Sequence, residues 1–70
     1  MFISIMFGQG LVYTLHVDSE WKCATLITHL RNKFILSANF KLFFDAIEMQ
    51  PEKKLQDYNI YQYAWLQAKY

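Results

Sequence analysis

The spacing of apolar residues changes once along this chain, and that change limits the folds open to it. In residues 1–7 and 12–17, apolar side chains occupy every second position, which is typical of strands. Gly8-Gln9-Gly10 between them predicts a hairpin turn, because glycine readily adopts positive φ. In residues 23–34 the apolar positions recur at helical spacing and form one stripe. The first half of the chain therefore predicts two strands followed by a helix.

The second half predicts short strands around a polar loop. Residues 40–44 predict a third strand, Met49 marks a further short strand, and residues 65–70 form the last strand. Asp18 or Ser19 is the expected N-cap of the helix, with Glu20 in its first turn. We expect an α+β domain in which the single helix covers one face of the sheet.

A six-residue segment near the end, Leu55-Gln56-Asp57-Tyr58-Asn59-Ile60, resembles the segment that precedes the last strand in ubiquitin-like domains. The resemblance covers the whole chain, provided that one residue is deleted between the helix and the third strand. The other matching positions are Met1, Ile3, Ile5, Gly10, Tyr13, Leu15, Val17, Leu26, Leu30, Lys41, Leu42, Phe43, Phe44, Met49 and Leu66. It implies a single β-grasp domain over residues 1–70, with a mixed sheet in the order ββαββ and a short helical turn before the last strand. It also implies that the Tyr58 hydroxyl hydrogen-bonds loop backbone.

The departures from the family pattern bear on function. The recognition patch of ubiquitin maps to Gly8, Phe43, Gln67 and Lys69, where most of its apolar side chains are absent. A receptor that buries this patch would desolvate the charge of Lys69, which is costly. We therefore expect weak or no binding to generic ubiquitin receptors. The sequence stops at Tyr70 without the family's Gly-Gly tail, so a protein modifier whose tail is missing here is an alternative function.

Strand alternation turns one set of large side chains away from the helix. We predict that a protein partner, or a second copy of the chain, binds this aromatic-rich face, and the predicted partner-binding residues are Phe2, Met6, Phe43, Trp65, Gln67 and Lys69. The alternative is that these side chains only stabilise the sheet through cross-strand pairs. A less favoured function is RNA binding, in which Phe2, Phe43 and Trp65 stack on bases.

Composition argues against several other classes. A net charge of +1 gives no basic stripe for nucleic acid and no polybasic membrane anchor, and no run approaches the ~20 apolar residues of a membrane span. Cys23, the only cysteine, lies on the apolar stripe of the predicted helix, so we expect it to be buried and inert. His16 and His29 lie on different elements without further ligands at metal-binding spacing. We expect an intracellular, non-catalytic domain with no metal and no cofactor.

Overall fold

The computed structural model describes residues 1–8 and 10–69, so Gln9 of the predicted hairpin turn and Tyr70 of the predicted last strand lie outside the described residues. The protein is a small α+β domain with one helix and a five-stranded mixed sheet. Its elements are β1 (Phe2–Gly8), β2 (Leu11–His16), α1 (Cys23–Lys33), β3 (Lys41–Phe44), β4 (Ile47–Glu48), a 3₁₀ helix (Leu55–Tyr58) and β5 (Ala64–Lys69).

The sheet has the strand order β2-β1-β5-β3-β4. β1 and β5 are parallel neighbours at its centre, and the other pairs are antiparallel. The order ββαββ counts one strand fewer than the structure, although the sequence also predicts a short strand at Met49; β4 contains only two residues, and periodicity locates so short a strand poorly. Met49, expected in that strand, directly follows it and is buried.

The core lies between the sheet and α1. Its buried side chains come from alternate positions of the long strands and from one stripe of α1, and they are Ile3, Ile5, Phe7, Leu15, Val17, Cys23, Leu26, Leu30, Phe40, Leu42, Phe44, Met49, Leu55, Ile60, Ala64, Leu66 and Ala68. Among the described residues no polar or charged side chain is buried. The helix thus covers one sheet face, as the sequence predicts, and the other face, called the outer face below, points away from it.

The prediction for the start of the helix was wrong. The helix begins at Cys23, its N-cap Lys22 makes no side-chain capping bond, and Glu20 precedes it. Asp18 instead closes a separate turn, because its Oδ1 accepts a hydrogen bond from the Glu20 N–H at 2.8 Å. The first helical N–H groups donate to loop carbonyls: Cys23 to Lys53 at 2.7 Å and Ala24 to Pro51 at 2.9 Å.

The segment before β5 is held as the resemblance implies. The backbone N–H of Gln50 donates to the Tyr58 hydroxyl over 2.7 Å. Asp57 Oδ2 accepts from the Lys54 N–H at 2.9 Å, which closes the 3₁₀ turn. Leu55 and Ile60 on either side are buried. These contacts fix the loop that caps α1.

The turn between β3 and β4 is strained. Phe44 pairs with Ile47, so Asp45 and Ala46 form a two-residue hairpin loop with φ of 52° and 66°. Positive φ at both positions matches the type I′ turn that suits a hairpin, where Asn-Gly is preferred. Alanine is unfavourable in this region, because its Cβ approaches the backbone too closely.

We predict that Ala46→Gly stabilises the protein by about 0.5–1 kcal/mol, since relief of the left-handed strain exceeds the added entropy of the unfolded chain. Urea denaturation measures the change. The matched control is Ala24→Gly in α1, where the same substitution should lower stability because the helix favours alanine. Equal effects of both substitutions would contradict the assignment of strain to Ala46.

We predict that Tyr58→Phe lowers the free energy of unfolding by about 0.5–1.5 kcal/mol, because the Gln50 N–H exchanges its acceptor for water. Thermal or urea denaturation checks this value. Tyr63→Phe is the control: its side chain is exposed, and its hydroxyl should contribute little. A Tyr58→Phe variant as stable as the control would show that the hydroxyl does not hold the loop.

Candidate interaction surface

One row of side chains crosses the whole outer face. Direct cross-strand partners share a sheet face, and the register joins five of them in sequence across β2, β1, β5, β3 and β4. They are Val12, Met6, Gln67, Phe43 and Glu48. The row exists because the parallel pair sets Met6 opposite Gln67 and the antiparallel pair sets Phe43 opposite the same residue.

A second, shorter row lies beside the first. Trp65 of β5 is opposite Ser4 of β1, and Ser4 is opposite Thr14 of β2. The hydroxyls of Ser4 and Thr14 are hydrogen-bonded over 2.9 Å, so these two polar groups satisfy each other on the surface. Trp65 is 54% exposed. It is therefore the largest accessible apolar side chain of the outer face.

A shallow depression of about 290 Å³ lies between these rows, at the lower end of the volumes typical of ligand sites. It is lined by Met6, Phe43, Asp45, Ala46, Trp65, Leu66 and Gln67. Four of the six predicted partner-binding residues thus share one depression: Met6, Phe43, Trp65 and Gln67. The strained hairpin loop forms part of its wall, and Asp45 contributes a carboxylate.

The remaining two predicted residues, Lys69 and Phe2, do not line the depression. The Lys69 ammonium sits over the ring of Phe43, 4.9 Å from the ring centroid, in a cation–π contact that leaves Phe43 half-buried. Phe2 lies at the opposite end of β1, edge-on to His16 with ring centroids 5.0 Å apart. The structure therefore does not bring Phe2 to the depression.

Sequence reasoning missed Asp45 and Ala46 as part of this surface. The predicted third strand ends at Phe44, which leaves Asp45 in a loop, but an aspartate followed by alanine is a weak turn signal and does not indicate a tight hairpin beside the outer face. It also missed exposed apolar side chains outside the outer-face rows, among them Ile47 and Tyr61, which are 58% and 61% exposed. Ile47 lies on β4, whose two residues are too few to show alternation, and Tyr61 lies in the connection to β5.

Cys23 is fully buried. Burial, and secondarily the negative charge of Asp57, raise the pKa of its thiol to about 11, so the thiol stays protonated at neutral pH. A protonated, buried thiol is a poor nucleophile.

Neither histidine belongs to a metal cluster in the described part of the chain. Residues 1–8 and 10–69 contain no group of three His, Cys, Asp or Glu side chains placed to hold a metal ion. The same residues contain no helix long and apolar enough to cross a bilayer.

Comparison with protein-family models gives no match for this chain, and comparison with curated proteins gives none. The ubiquitin-like relationship stays a prediction from the residues that resemble the family.

Proposed function

We propose that this chain is a non-catalytic, intracellular protein-interaction module of β-grasp type. It binds a protein partner, or a second copy of itself, through the outer face. The mixed sheet, the single helix and the loop contact of Tyr58 support the β-grasp assignment, because the resemblance implies all three. The observation that carries the function is the open depression lined by Met6, Phe43 and Trp65.

These side chains leave apolar surface unburied. Met6 is 39% exposed and Trp65 54%, although both belong to central strands of a small domain. Aromatic residues and methionine are enriched at protein interfaces, and contiguous apolar patches commonly mark such sites. Cross-strand packing alone does not require a depression between these side chains, so partner binding accounts for more of the surface than sheet stabilisation does.

Two other functions receive less support. RNA binding would need free ring faces for base stacking, and Lys69 already covers a face of the Phe43 ring. A protein modifier would need a Gly-Gly tail, and the described residues include no such tail. The outer face is compatible with a modifier, whose receptors would then contact the same residues.

We predict that Phe43→Ala and Trp65→Ala each weaken partner binding or self-association by at least about 1–2 kcal/mol, as expected for central aromatic residues of an interface. Sedimentation velocity measures the oligomeric state of each variant. Immobilised parent and variant proteins are then compared for the partners that they retain. Ile35→Ala is the matched control: it removes a fully exposed apolar side chain elsewhere. Circular dichroism establishes that the variants fold. If both variants fold and keep every partner and the oligomeric state of the parent chain, the outer face is not the binding site.

Lys69 and Gly8 are expected to separate this domain from ubiquitin in receptor binding. Gly8 has φ of 90°, so a leucine at this position would be strained. A change in binding by such a variant could then result from altered folding. Lys69 is exposed at the end of β5 and can be replaced without this difficulty.

We predict that Lys69→Val raises affinity for a synthetic ubiquitin-binding helix by about 1 kcal/mol, because a charge is no longer desolvated when the helix docks. Calorimetry compares it with the parent chain and with Lys33→Val, which removes the same charge from α1. An equal gain in both variants would mean that net charge, not the position of Lys69, limits receptor binding.

A further inference from the structure

A second depression, of about 490 Å³, lies beside β4 at the edge of the sheet. The β3–β4 hairpin, the 3₁₀ helix and the start of the connection to β5 form its walls, and the lining residues are Phe44, Asp45, Ile47, Asp57, Tyr58, Asn59 and Tyr61. Asp45 also lines the outer-face depression, so the two depressions meet at this residue. No predicted partner-binding residue lies in the second one.

The walls of this depression are aromatic and largely fixed. The rings of Phe44 and Tyr61 meet edge to face, with centroids 5.8 Å apart. Tyr58 is held by its hydroxyl bond to Gln50, and the ammonium of Lys53 sits 5.9 Å from its ring centroid. The negative face of an aromatic ring attracts cations. The Tyr58 ring already attracts one from this chain, the ammonium of Lys53.

The polar groups of the depression are acidic. Asp45 and Asp57 contribute carboxylates, and the lining contains no lysine, arginine or histidine. Asp57 is fixed by the Lys54 N–H, which contacts only its Oδ2. Within residues 1–8 and 10–69 neither aspartate forms an ion pair, and the Lys53 ammonium contacts the ring of Tyr58 instead. The depression therefore combines apolar walls with two carboxylates that form no ion pair within the described residues.

We propose that this depression binds the side chain of a lysine or arginine in an extended peptide segment of a protein partner, flanked by apolar residues. The aliphatic stem of the cation packs on Ile47 and Tyr61, which are both more than half exposed. Its charged head lies against the carboxylates of Asp45 and Asp57. This site is separate from the proposed outer-face contact and does not depend on it.

The test is an NMR titration of the ¹⁵N-labelled protein with three capped tripeptides: Leu-Lys-Leu, Leu-Arg-Leu and the neutral Leu-Gln-Leu. The cationic peptides should shift the amide signals of Asp45, Ile47, Asp57 and Tyr61, and the neutral peptide should not. The larger response of the two cationic peptides identifies the preferred headgroup. The affinity should fall as salt is added.

Variants then test which carboxylates contribute to binding of the cationic peptides. Asp45→Asn and Asp57→Asn should each weaken binding of the cationic peptides about two- to five-fold, and asparagine at position 57 keeps an oxygen that can accept the Lys54 N–H. Glu52→Gln removes an exposed negative charge outside the depression and should leave affinity nearly unchanged. Phe43 lines only the outer-face depression, so Phe43→Ala should also leave the affinity for the cationic peptides unchanged. Failure of one proposed site is therefore distinguishable from failure of the other.

Three results would overturn the proposal. The first is an equal response to the neutral peptide. The second is a loss of affinity in Glu52→Gln as large as that in Asp45→Asn. The third is the absence of shifts around the depression with either cationic peptide at about 10 mM, a concentration that would reveal even very weak binding.

Discussion

The parallel pairing of β1 with β5 is the constraint on which the rest of the structure depends. It sets Ile3 beside Ala64 and Ile5 beside Leu66, so strands from the two halves of the chain form the centre of one sheet. Everything between them must then pack around this pair. A shift of one residue in the register would turn Leu66 outward and the side chains of Trp65 and Gln67 into the core. The buried aliphatic residues of the central strands therefore determine which side chains face outward.

The loop of residues 50–58 couples the helix to that sheet. Its carbonyls accept the first N–H groups of α1, and Leu55 N–H donates to the Trp21 carbonyl at 2.9 Å. Lys22 and Lys54 form an isolated bridge between the two segments. Backbone groups from a distant loop thus replace a side-chain cap, so α1 begins where the loop contacts it. Tyr58 and Asp57 hold this loop in turn, which explains how one short motif affects both the helix and the sheet.

Strand alternation predicted the buried and exposed faces of β1, β2 and β5 correctly, because core burial enforces it. The resemblance predicted that the Tyr58 hydroxyl contacts loop backbone, and this contact is local to one short motif. The helix start was wrong because its capping groups come from a loop almost thirty residues away in sequence. The depressions were not predicted, since they depend on a hairpin loop in which Ala46 adopts a left-handed conformation that alanine disfavours.

That disfavoured conformation implies that tertiary contacts position Asp45. Leu42 and Phe44 are buried on β3, and Lys41 forms an ion pair with Glu48 across the hairpin at 3.7 Å. These contacts hold the strand pair in register, and the two-residue loop must then accept positive φ. Asp45 is consequently fixed where the two depressions meet. A glycine at position 46 would suit the turn better, so the placement of this carboxylate owes more to the buried side chains of β3 than to the loop itself.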